Sequence, residues 1–242
     1  MDHSYTGPAP GDAFGLAMLD QQAGRPGSLI IERDDGFIDV DSFDYADGWL
    51  ERDRWALDRA TGRVLDVGAG AGRAALGLQE RGQEVVALDV SPGAIGVCRQ
   101  RGVRQTFTGS LSAAVAAGLA GTFDSALLLG NTLSLAGSPS GAIGFLGALG
   151  ELLTPAGVII GTCFNPGLTA KPAHLAYHER NRQAGRPIGQ LSFRVRYQQV
   201  AGPWFDWLLM SPEELGEIAA AAGWRLTELF PGDLYAVVLT RA

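Results

Sequence analysis

The chain has little positive charge, and only one of its basic residues is a lysine. Its 242 residues include 19 Lys and Arg, with Lys171 the single lysine, against 26 Asp and Glu, so the formal net charge is −7. Phosphate backbones repel a net anion, which argues against a nucleic-acid partner. The preference for arginine is typical of GC-rich bacterial coding.

Cysteine is also scarce. The only two, Cys98 and Cys163, are too few for a disulfide framework and form no CxxC pair of metal ligands. Both fall in segments with the apolar pattern of a protein core, so we expect reduced, buried thiols.

No hydrophobic run is long enough to cross a membrane. Residues 125–150 carry no charge, but turn residues at 130–132 and 137–141 interrupt them, whereas a spanning helix needs about 20 apolar residues. The N-terminus lacks the cationic start and apolar stretch of a signal peptide. We therefore expect a cytoplasmic protein with no membrane partner. The chain length suits one large domain, or one domain with a cap.

Strands and helices alternate between residues 63 and 163. Short, almost continuous apolar runs separated by helical patterns are typical of a parallel sheet covered by helices on both faces. The predicted strands span 63–67, 84–90, 103–108, 123–130 and 157–163. The predicted helices span 72–81, 92–101, 112–119 and 141–153. The pattern indicates an α/β fold.

The chain divides into two predicted parts. Residues 1–60 are predicted to form an N-terminal helical flap, with helices at 14–22 and 47–59 after a loose tail. Residues 61–242 are predicted to form the main domain, in which the irregular segment 164–210 is an inserted substrate cap. The cap is predicted to contain a helix at 173–183 and strands at 191–200 and 204–210, and a closing β-hairpin at 224–230 and 235–241 follows it.

A glycine-rich turn follows the first predicted strand in the stretch VLDVGAGAGR. A strand that runs through glycines into a helix lets a ligand approach the backbone, which suits a nucleotide-like ligand. The dinucleotide fingerprint GxGxxG starting at Gly68 needs glycine where Arg73 stands, and the phosphate-binding motif GxxxxGK[ST] is absent. NAD and ATP are therefore disfavoured.

Asp89 ends the second predicted strand, 23 residues after Asp66. An acidic residue about 20 positions beyond a glycine turn is placed to accept hydrogen bonds from both hydroxyls of a ribose. The simpler alternative is that Asp89 only caps the next helix, which Ser91 could do equally well. The ribose interpretation is favoured.

These motifs resemble those of the class I S-adenosylmethionine-dependent methyltransferases. VLDVGAGAGR resembles the first motif of the family and VALDVSPGAI its acidic motif, while FDSALLL and LLTPAGVIIGT resemble the fourth strand and the passage into the fifth. The resemblance implies a Rossmann-like fold with a seven-stranded, mostly parallel sheet and an antiparallel last strand. It also implies an enzyme that takes S-adenosylmethionine as cofactor and releases S-adenosylhomocysteine.

The resemblance assigns a set of residues to the cofactor. The set comprises Asp66, Gly68, Gly70, Asp89, Val90, Ser110, Leu111, Gly130, Asn131, Tyr45 and Arg54. Asp66 and the two glycines would lie beside the methionine part, Asp89 would hold the ribose, and Asn131 would face the methyl-transfer site. The family often has an acidic residue near the adenine, where this chain has Ser110, so that contact would fall to Ser110 or to a backbone carbonyl. Tyr45 and Arg54, which precede the first predicted strand, would close over the cofactor.

The stretch after the fourth predicted strand reads Gly130-Asn131-Thr132-Leu133. DNA amino-group methyltransferases carry [D/N]-P-P-[Y/F] there, so the resemblance and the net charge together argue against base methylation. They favour transfer to an oxygen or nitrogen atom of a small molecule. A peptide or protein methyltransferase and a cofactor-binding scaffold without turnover stay open as alternatives. Whether the chain forms a homodimer is also left open.

Three side chains capable of proton transfer or binding share one face of the predicted cap helix. His174, Tyr177 and His178 stand at i, i+3 and i+4 and are the catalytic candidates, as a general base or as a substrate ligand. The alternative is an exposed polar face. A metal held by the two histidines would need a third ligand that is not evident in the sequence, so no metal is expected.

The next predicted strand places Arg194 and Arg196 on one face by alternation. If that face looks into a cleft, the two guanidinium groups could bind a substrate carboxylate. Otherwise they form a solvated face. Trp204 and Trp207 could form an apolar wall for the acceptor, or they could pack the cap.

Overall fold

The computed structural model describes residues 11–25, 27–41 and 48–242. The strands are β1 (Leu29–Arg33), β2 (Ile38–Asp41), β3 (Arg63–Val67), β4 (Glu84–Asp89), β5 (Gln105–Thr108), β6 (Phe123–Leu128), β7 (Leu153–Phe164), β8 (Gln190–Tyr197), β9 (Val200–Ala201), β10 (Phe205–Leu208), β11 (Trp224–Phe230) and β12 (Leu234–Arg241). The helices are α1 (Ala13–Gln22), α2 (Glu51–Leu57), α3 (Arg73–Glu80), α4 (Pro92–Gln100), α5 (Leu111–Ala114), α6 (Pro139–Leu152), α7 (Pro172–Gln183) and α8 (Pro212–Ala221).

Seven strands form the main sheet, in the order β11-β12-β7-β6-β3-β4-β5. Strands β5, β4, β3, β6 and β7 are parallel, whereas β12 is antiparallel to both of its neighbours. One apolar layer joins the sheet to α6 and α8, and a second joins it to α2, α3 and α4. Cys163 and Cys98 are buried free thiols in these layers, as expected. The predicted Rossmann-like α/β fold, including the antiparallel last strand, is confirmed.

Capping signals account for where the helices begin. Ser91 caps α4 through a hydrogen bond from Ala94 N (2.9 Å). Ser211 and Glu214 form a capping box at the start of α8, and a proline follows the cap in both helices. In the described part of the chain, no helix is long and apolar enough to cross a bilayer.

A second, antiparallel sheet has the order β10-β8-β1-β2, with β9 beside β8. Its strands come from both the N-terminal segment and the 164–210 segment, since β1 pairs with β8 through Ile30–Arg196 and Glu32–Arg194. The segment predicted as an N-terminal helical flap therefore also contains two strands, β1 and β2, which the sequence did not predict. A strand partner far along the chain, which no local pattern reveals, holds β1 in an extended conformation.

Three element boundaries also differ from the predictions. Strand β7 begins at Leu153, where α6 ends, with no intervening loop. Helix α5 continues as a wider turn in which Gly118 has a φ of 85°. The second predicted helix starts only at Glu51, and residues 42–47 lie outside the described part of the chain.

Candidate active site

The glycine turn joins β3 to α3 at the carboxyl edge of the main sheet. Gly68, Gly70 and Gly72 all have positive φ angles, of 66°, 55° and 78°, a region that glycine enters without steric cost. A Cβ added to Gly68 would lie 2.8 Å from Cγ2 of Thr132. Glycine is therefore required here both for the backbone conformation and for the close contact with the segment that follows β6.

Asp66 lies beneath this turn. Its side chain is buried, and its Oδ2 accepts a hydrogen bond from Ala75 N (3.1 Å) in the first turn of α3. Burial raises the pKa of Asp66 to about 7, and the negative charge of Asp89 adds to this effect. In the structure, Asp66 holds the start of α3 and so shapes the turn from below.

Asp89 stands at the end of β4, next to the glycine turn. Its half-buried carboxylate accepts hydrogen bonds from Gly70 N at Oδ2 (2.9 Å) and from Ser91 N at Oδ1 (2.9 Å). Each oxygen keeps a second acceptor position, and burial raises the pKa of this carboxyl group. Ser91, and not Asp89, is the N-cap of α4, so the alternative in which Asp89 only caps the helix is wrong.

Three further residues assigned to the cofactor, Val90, Ser110 and Leu111, differ in the exposure of their side chains. Val90 is 70% exposed, which leaves an apolar side chain free to contact a ligand. The Ser110 hydroxyl accepts a hydrogen bond from Ala113 N (3.2 Å) and caps α5, and Leu111 is buried in the core. Among these three residues, Val90 has the side chain most available to a ligand.

The turn after β6 holds the side-chain amide of Asn131 in one orientation. Asn131 Oδ1 accepts hydrogen bonds from Phe164 N and from Ser134 Oγ, both at 2.9 Å. Because a backbone N–H can only donate, Oδ1 must face Phe164, and Nδ2 must point the other way. Nδ2 donates to no residue that the structure describes. The neighbouring Gly130 has open space around its Cα.

The second sheet turns one apolar face, its inner face, towards α1. Val195 and Tyr197 of β8 form one cluster with Ala13 and Ala17 of α1. Helix α1 in turn packs on the start of α4 and on the glycine turn. Side chains of opposite parity on β8 therefore lie on the outer face, which points away from α1.

Arg194 and Arg196 lie on that outer face. Both guanidinium groups bind Glu32, at 2.9 Å each, and Arg194 also covers the ring of Trp204 at 4.8 Å. The Arg194 contact lowers the pKa of Glu32. The predicted binding of a substrate carboxylate by these two arginines stays a prediction, with both guanidinium groups engaged by Glu32 on the face opposite α1. Trp204 likewise belongs to the outer side.

Trp207 lies on the inner face, in a cluster of three rings. Its centroid is 5.6 Å from that of Phe193 and 6.0 Å from that of Phe205, and those two are 4.4 Å apart. All three side chains are only half-buried. Strand β10, which carries two of the rings, runs beside the 132–136 turn that follows Asn131.

Helix α7 is attached to the same inner face. Arg33 of β1 lies opposite Phe193 in the strand pair, stacks on the Tyr177 ring at 4.3 Å and donates to Ala173 O (3.0 Å). The Tyr177 hydroxyl donates to Asp34 Oδ1 (2.7 Å) and accepts from Ser192 N (3.3 Å). These bonds hold Tyr177 between α7 and the second sheet, and burial raises its pKa, while its predicted catalytic role stays a prediction.

The two histidines of α7 differ in their hydrogen bonds and in their burial. His174 places Nδ1 3.0 Å from Thr169 Oγ1, and its ring meets Phe37 edge-on. His178 is only 4% exposed, and its ring nitrogens bond to none of the described residues. Burial lowers the pKa of both, so both are neutral at pH 7. The alternative of an exposed polar face is wrong for His178.

The remaining predicted residues precede β3. Arg54 is exposed on α2, away from the face that packs through Ala56 and Leu57 on α3. Tyr45 lies outside the described residues. The ion pair of Asp53 with Arg73 (2.8 Å) instead ties α2 to the end of the glycine turn.

One residue at this edge was missed. Asp12, assigned to a loose tail, caps α1 through Gly15 N (2.8 Å) and also accepts hydrogen bonds from Ser91 Oγ (2.8 Å) and Gly93 N (3.1 Å). The available signal was an aspartate directly before a helical pattern.

Comparison with known proteins agrees with this architecture. A family model described as a methyltransferase domain matches residues 64–157. An S-adenosylmethionine-dependent methyltransferase from Bacteroides fragilis, solved with S-adenosyl-L-homocysteine, is 28% identical, with a TM-score of 0.81 over 98% of this chain and 99% of that chain. No curated protein matches the sequence.

Two more distant structures share the fold. A 1,6-didemethyltoxoflavin-N1-methyltransferase from Burkholderia thailandensis is 20% identical, covers 78% of this chain and 76% of its own, and has a TM-score of 0.51. An amino pentose methyltransferase from Micromonospora echinaspora is 19% identical, covers 78% of this chain and 86% of its own, and also has a TM-score of 0.51.

The seven-stranded sheet and its glycine turn define a Rossmann-like methyltransferase domain. Residues 64–157 match the methyltransferase-domain model, and the chain is an S-adenosylmethionine-dependent methyltransferase.

Proposed function

We propose that this enzyme transfers the methyl group of S-adenosylmethionine to an oxygen or nitrogen atom of a small molecule held between the second sheet and the carboxyl edge of the main sheet. The observation that carries the proposal is the position of Asp89. Its half-buried carboxylate touches the glycine turn and retains free acceptor positions. That arrangement suits a ribose with two free hydroxyls.

The residues at this edge fit the cofactor. Gly68 and Gly70 keep side chains out of the turn, and the open space at Gly130 leaves the backbone accessible. Asp89 would accept hydrogen bonds from the ribose, Val90 would contact the adenine, and Asn131 Nδ2 would donate to an atom near the reacting centre. When bound, the cofactor supplies an electrophilic methyl group on a sulfonium. The chain then has to position the acceptor and exclude water.

The inner face of the second sheet supports a small acceptor with an apolar or ring-shaped part. Its three rings, Phe193, Phe205 and Trp207, are half-buried. Arg33 on the same face is engaged by Asp35 and Tyr177, and Arg194 and Arg196 are engaged on the opposite face. Distant neighbours of the same fold are named for a toxoflavin precursor and for an amino pentose, both small molecules. We propose 164–210, together with β1 and β2, as the cover of the acceptor site.

His178 is the proposed general base. It is buried on α7, next to residues that face the inner side of the second sheet, and its neutral ring can accept a proton at pH 7. A base is needed when the nucleophile keeps its proton until attack, as a hydroxyl group does. His174 is held by Thr169 and serves as the internal comparison.

Calorimetric titration with S-adenosylmethionine and S-adenosylhomocysteine, with NAD as control, tests the cofactor site. Transfer of a labelled methyl group to a panel of phenols, amines, N-heterocycles and peptides then tests the acceptor. Binding of the first two ligands and transfer to small acceptors support the proposal. Transfer to peptides only contradicts it, and binding without any transfer favours the scaffold alternative.

Replacing Trp207 with leucine should raise the KM for the best small acceptor of that panel about 10-fold, with little change in kcat. Shortening a large aromatic side chain that contacts a ligand costs roughly 1.5 kcal/mol or more. Trp204→Leu is the matched control, because this tryptophan lies on the outer face against Arg194. Equal KM values for the two variants would contradict an acceptor site on the inner face.

Replacing His178 with glutamine should lower kcat about 100-fold or more towards a hydroxyl acceptor, the usual contribution of a general base. Because burial lowers the pKa of His178, the wild-type rate should fall only below pH 6.5, where the ring becomes protonated. The variant should lose that acidic limb, while His174→Gln should retain it. A His178→Gln profile that parallels the wild type would exclude this base.

A further inference from the structure

Two helix N-termini meet on one carboxylate, that of Asp12. Its Oδ1 accepts from Gly15 N (2.8 Å) as the N-cap of α1. Its Oδ2 accepts from Ser91 Oγ (2.8 Å) and from Gly93 N (3.1 Å) at the start of α4. Negative charge is favourable at both helix N-termini, so this one side chain joins α1 to α4.

The two helices also touch directly at this point. A Cβ added to Gly93 would lie 2.6 Å from Gly15 Cα, so the contact requires glycine. One turn further along α1, Met18 packs with Ala71 and Ala94 against the glycine turn. A Cβ on Gly70 would lie 3.3 Å from Met18 Cε. Helix α1 thus forms one wall beside the turn that is proposed to hold the cofactor.

The same contacts reach Asp89. Ser91 donates its hydroxyl hydrogen to Asp12, while its backbone N–H donates to Asp89 Oδ1 (2.9 Å). The negative charge of Asp12 is one of the influences that raise the pKa of Asp89. A continuous path of hydrogen bonds therefore connects Asp12, the N-cap of α1, with the carboxylate proposed to hold the ribose.

We infer that Asp12 is a positioning residue that holds α1 closed against the cofactor site and thereby limits the rate at which the cofactor product leaves. The inference rests on the proposed cofactor site at Asp89. Asp12 touches neither substrate nor cofactor in this scheme. It acts through Ser91 and through the placement of α1.

Two substitutions distinguish the contact between α1 and α4 from the N-cap of α1. Asp12→Ser keeps a good N-cap for α1 but is too short to bridge to α4. Gly93→Ala removes no polar group, but its Cβ forces the two helices apart. Gly144→Ala, in α6 with nothing near its Cα, is the matched helical glycine control.

The measurements are the dissociation rate of S-adenosylhomocysteine by surface plasmon resonance and the amide hydrogen exchange of residues 13–22 without ligand. We expect Asp12→Ser and Gly93→Ala each to release S-adenosylhomocysteine at least about 10-fold faster than wild type, with faster exchange in α1. Gly144→Ala should match the wild type in both. Hydrogen exchange reports on the helix joint independently of catalysis.

Wild-type release rates in both variants would overturn the inference, and so would an effect of Asp12→Ser that Gly93→Ala does not share. If Asp12→Ser does not fold, Gly93→Ala with its control decides the question. Failure of the wild-type protein itself to bind S-adenosylhomocysteine would instead remove the proposed cofactor site on which the inference rests.

Discussion

Asp89→Ala should weaken the binding of S-adenosylhomocysteine by about 100-fold or more. Each hydrogen bond from a ribose hydroxyl to an ionised carboxylate is worth roughly 1.5–3 kcal/mol, and two are lost together. Because about 1.4 kcal/mol corresponds to a factor of ten in affinity, a combined loss of roughly 3 kcal/mol or more weakens binding about 100-fold or more. Calorimetric titration of the variant, alongside the wild type, measures the effect.

Two further variants make the Asp89 result interpretable. Asp89→Asn keeps an acceptor oxygen for only one of the two donors, Gly70 N and Ser91 N, and turns its Nδ2 towards the other, so it should lose part of the affinity. Asp58→Ala removes an exposed carboxylate that pairs with Arg81, at the far end of α3 from the glycine turn, and should bind normally. Unperturbed affinity in a folded Asp89→Ala variant would show that the ribose assignment is wrong.

Asp66→Asn should stabilise the protein increasingly as the pH rises. The pKa of Asp66 is raised to about 7 in the folded state, from an ordinary value of 3.8. The folded state therefore binds a proton more tightly than the unfolded state, so the contribution of this carboxyl group to stability falls as the pH rises from about 4 to about 7. Asparagine removes the buried charge and can still accept from Ala75 N.

The gain of Asp66→Asn over wild type should be about 2 kcal/mol larger at pH 8.0 than at pH 5.5. Urea unfolding of both proteins at the two pH values measures it, and both should have the same slope with denaturant. Asp58→Asn, an exposed carboxylate, should show no comparable dependence on pH. A pH-independent difference for Asp66→Asn would mean that the carboxyl group is already ionised without cost in the folded protein.

The sequence by itself determined the main sheet and the position of Asp89. Both follow from local properties: apolar strands alternate with capped helices, and glycines at 68, 70 and 72 allow the positive φ angles of the turn. The chain direction of parallel strands then places the ends of β3 and β4 at one edge. Ser91 as the cap of α4 follows from the same local rules.

The second sheet was decided only by the tertiary structure. Strand β1 is paired with β8 across most of the length of the chain, and local propensity carries no information about such a partner. Alternation along β8 predicts two faces but not which of them is inside. That choice depends on α1, which packs on Val195 and Tyr197 and so leaves Arg194 on the outside with Glu32.

The same limit applies to α7 and to Asp12. Spacing placed His174, Tyr177 and His178 on one side of a helix, but whether each nitrogen or hydroxyl is free depends on residues from other segments, such as Asp34 for Tyr177. The cap of α1 is local and readable, whereas its second contact, with Ser91, arises only when α1 and α4 pack. Hydrogen bonds within a turn follow from sequence, and those between elements follow from how the elements are assembled.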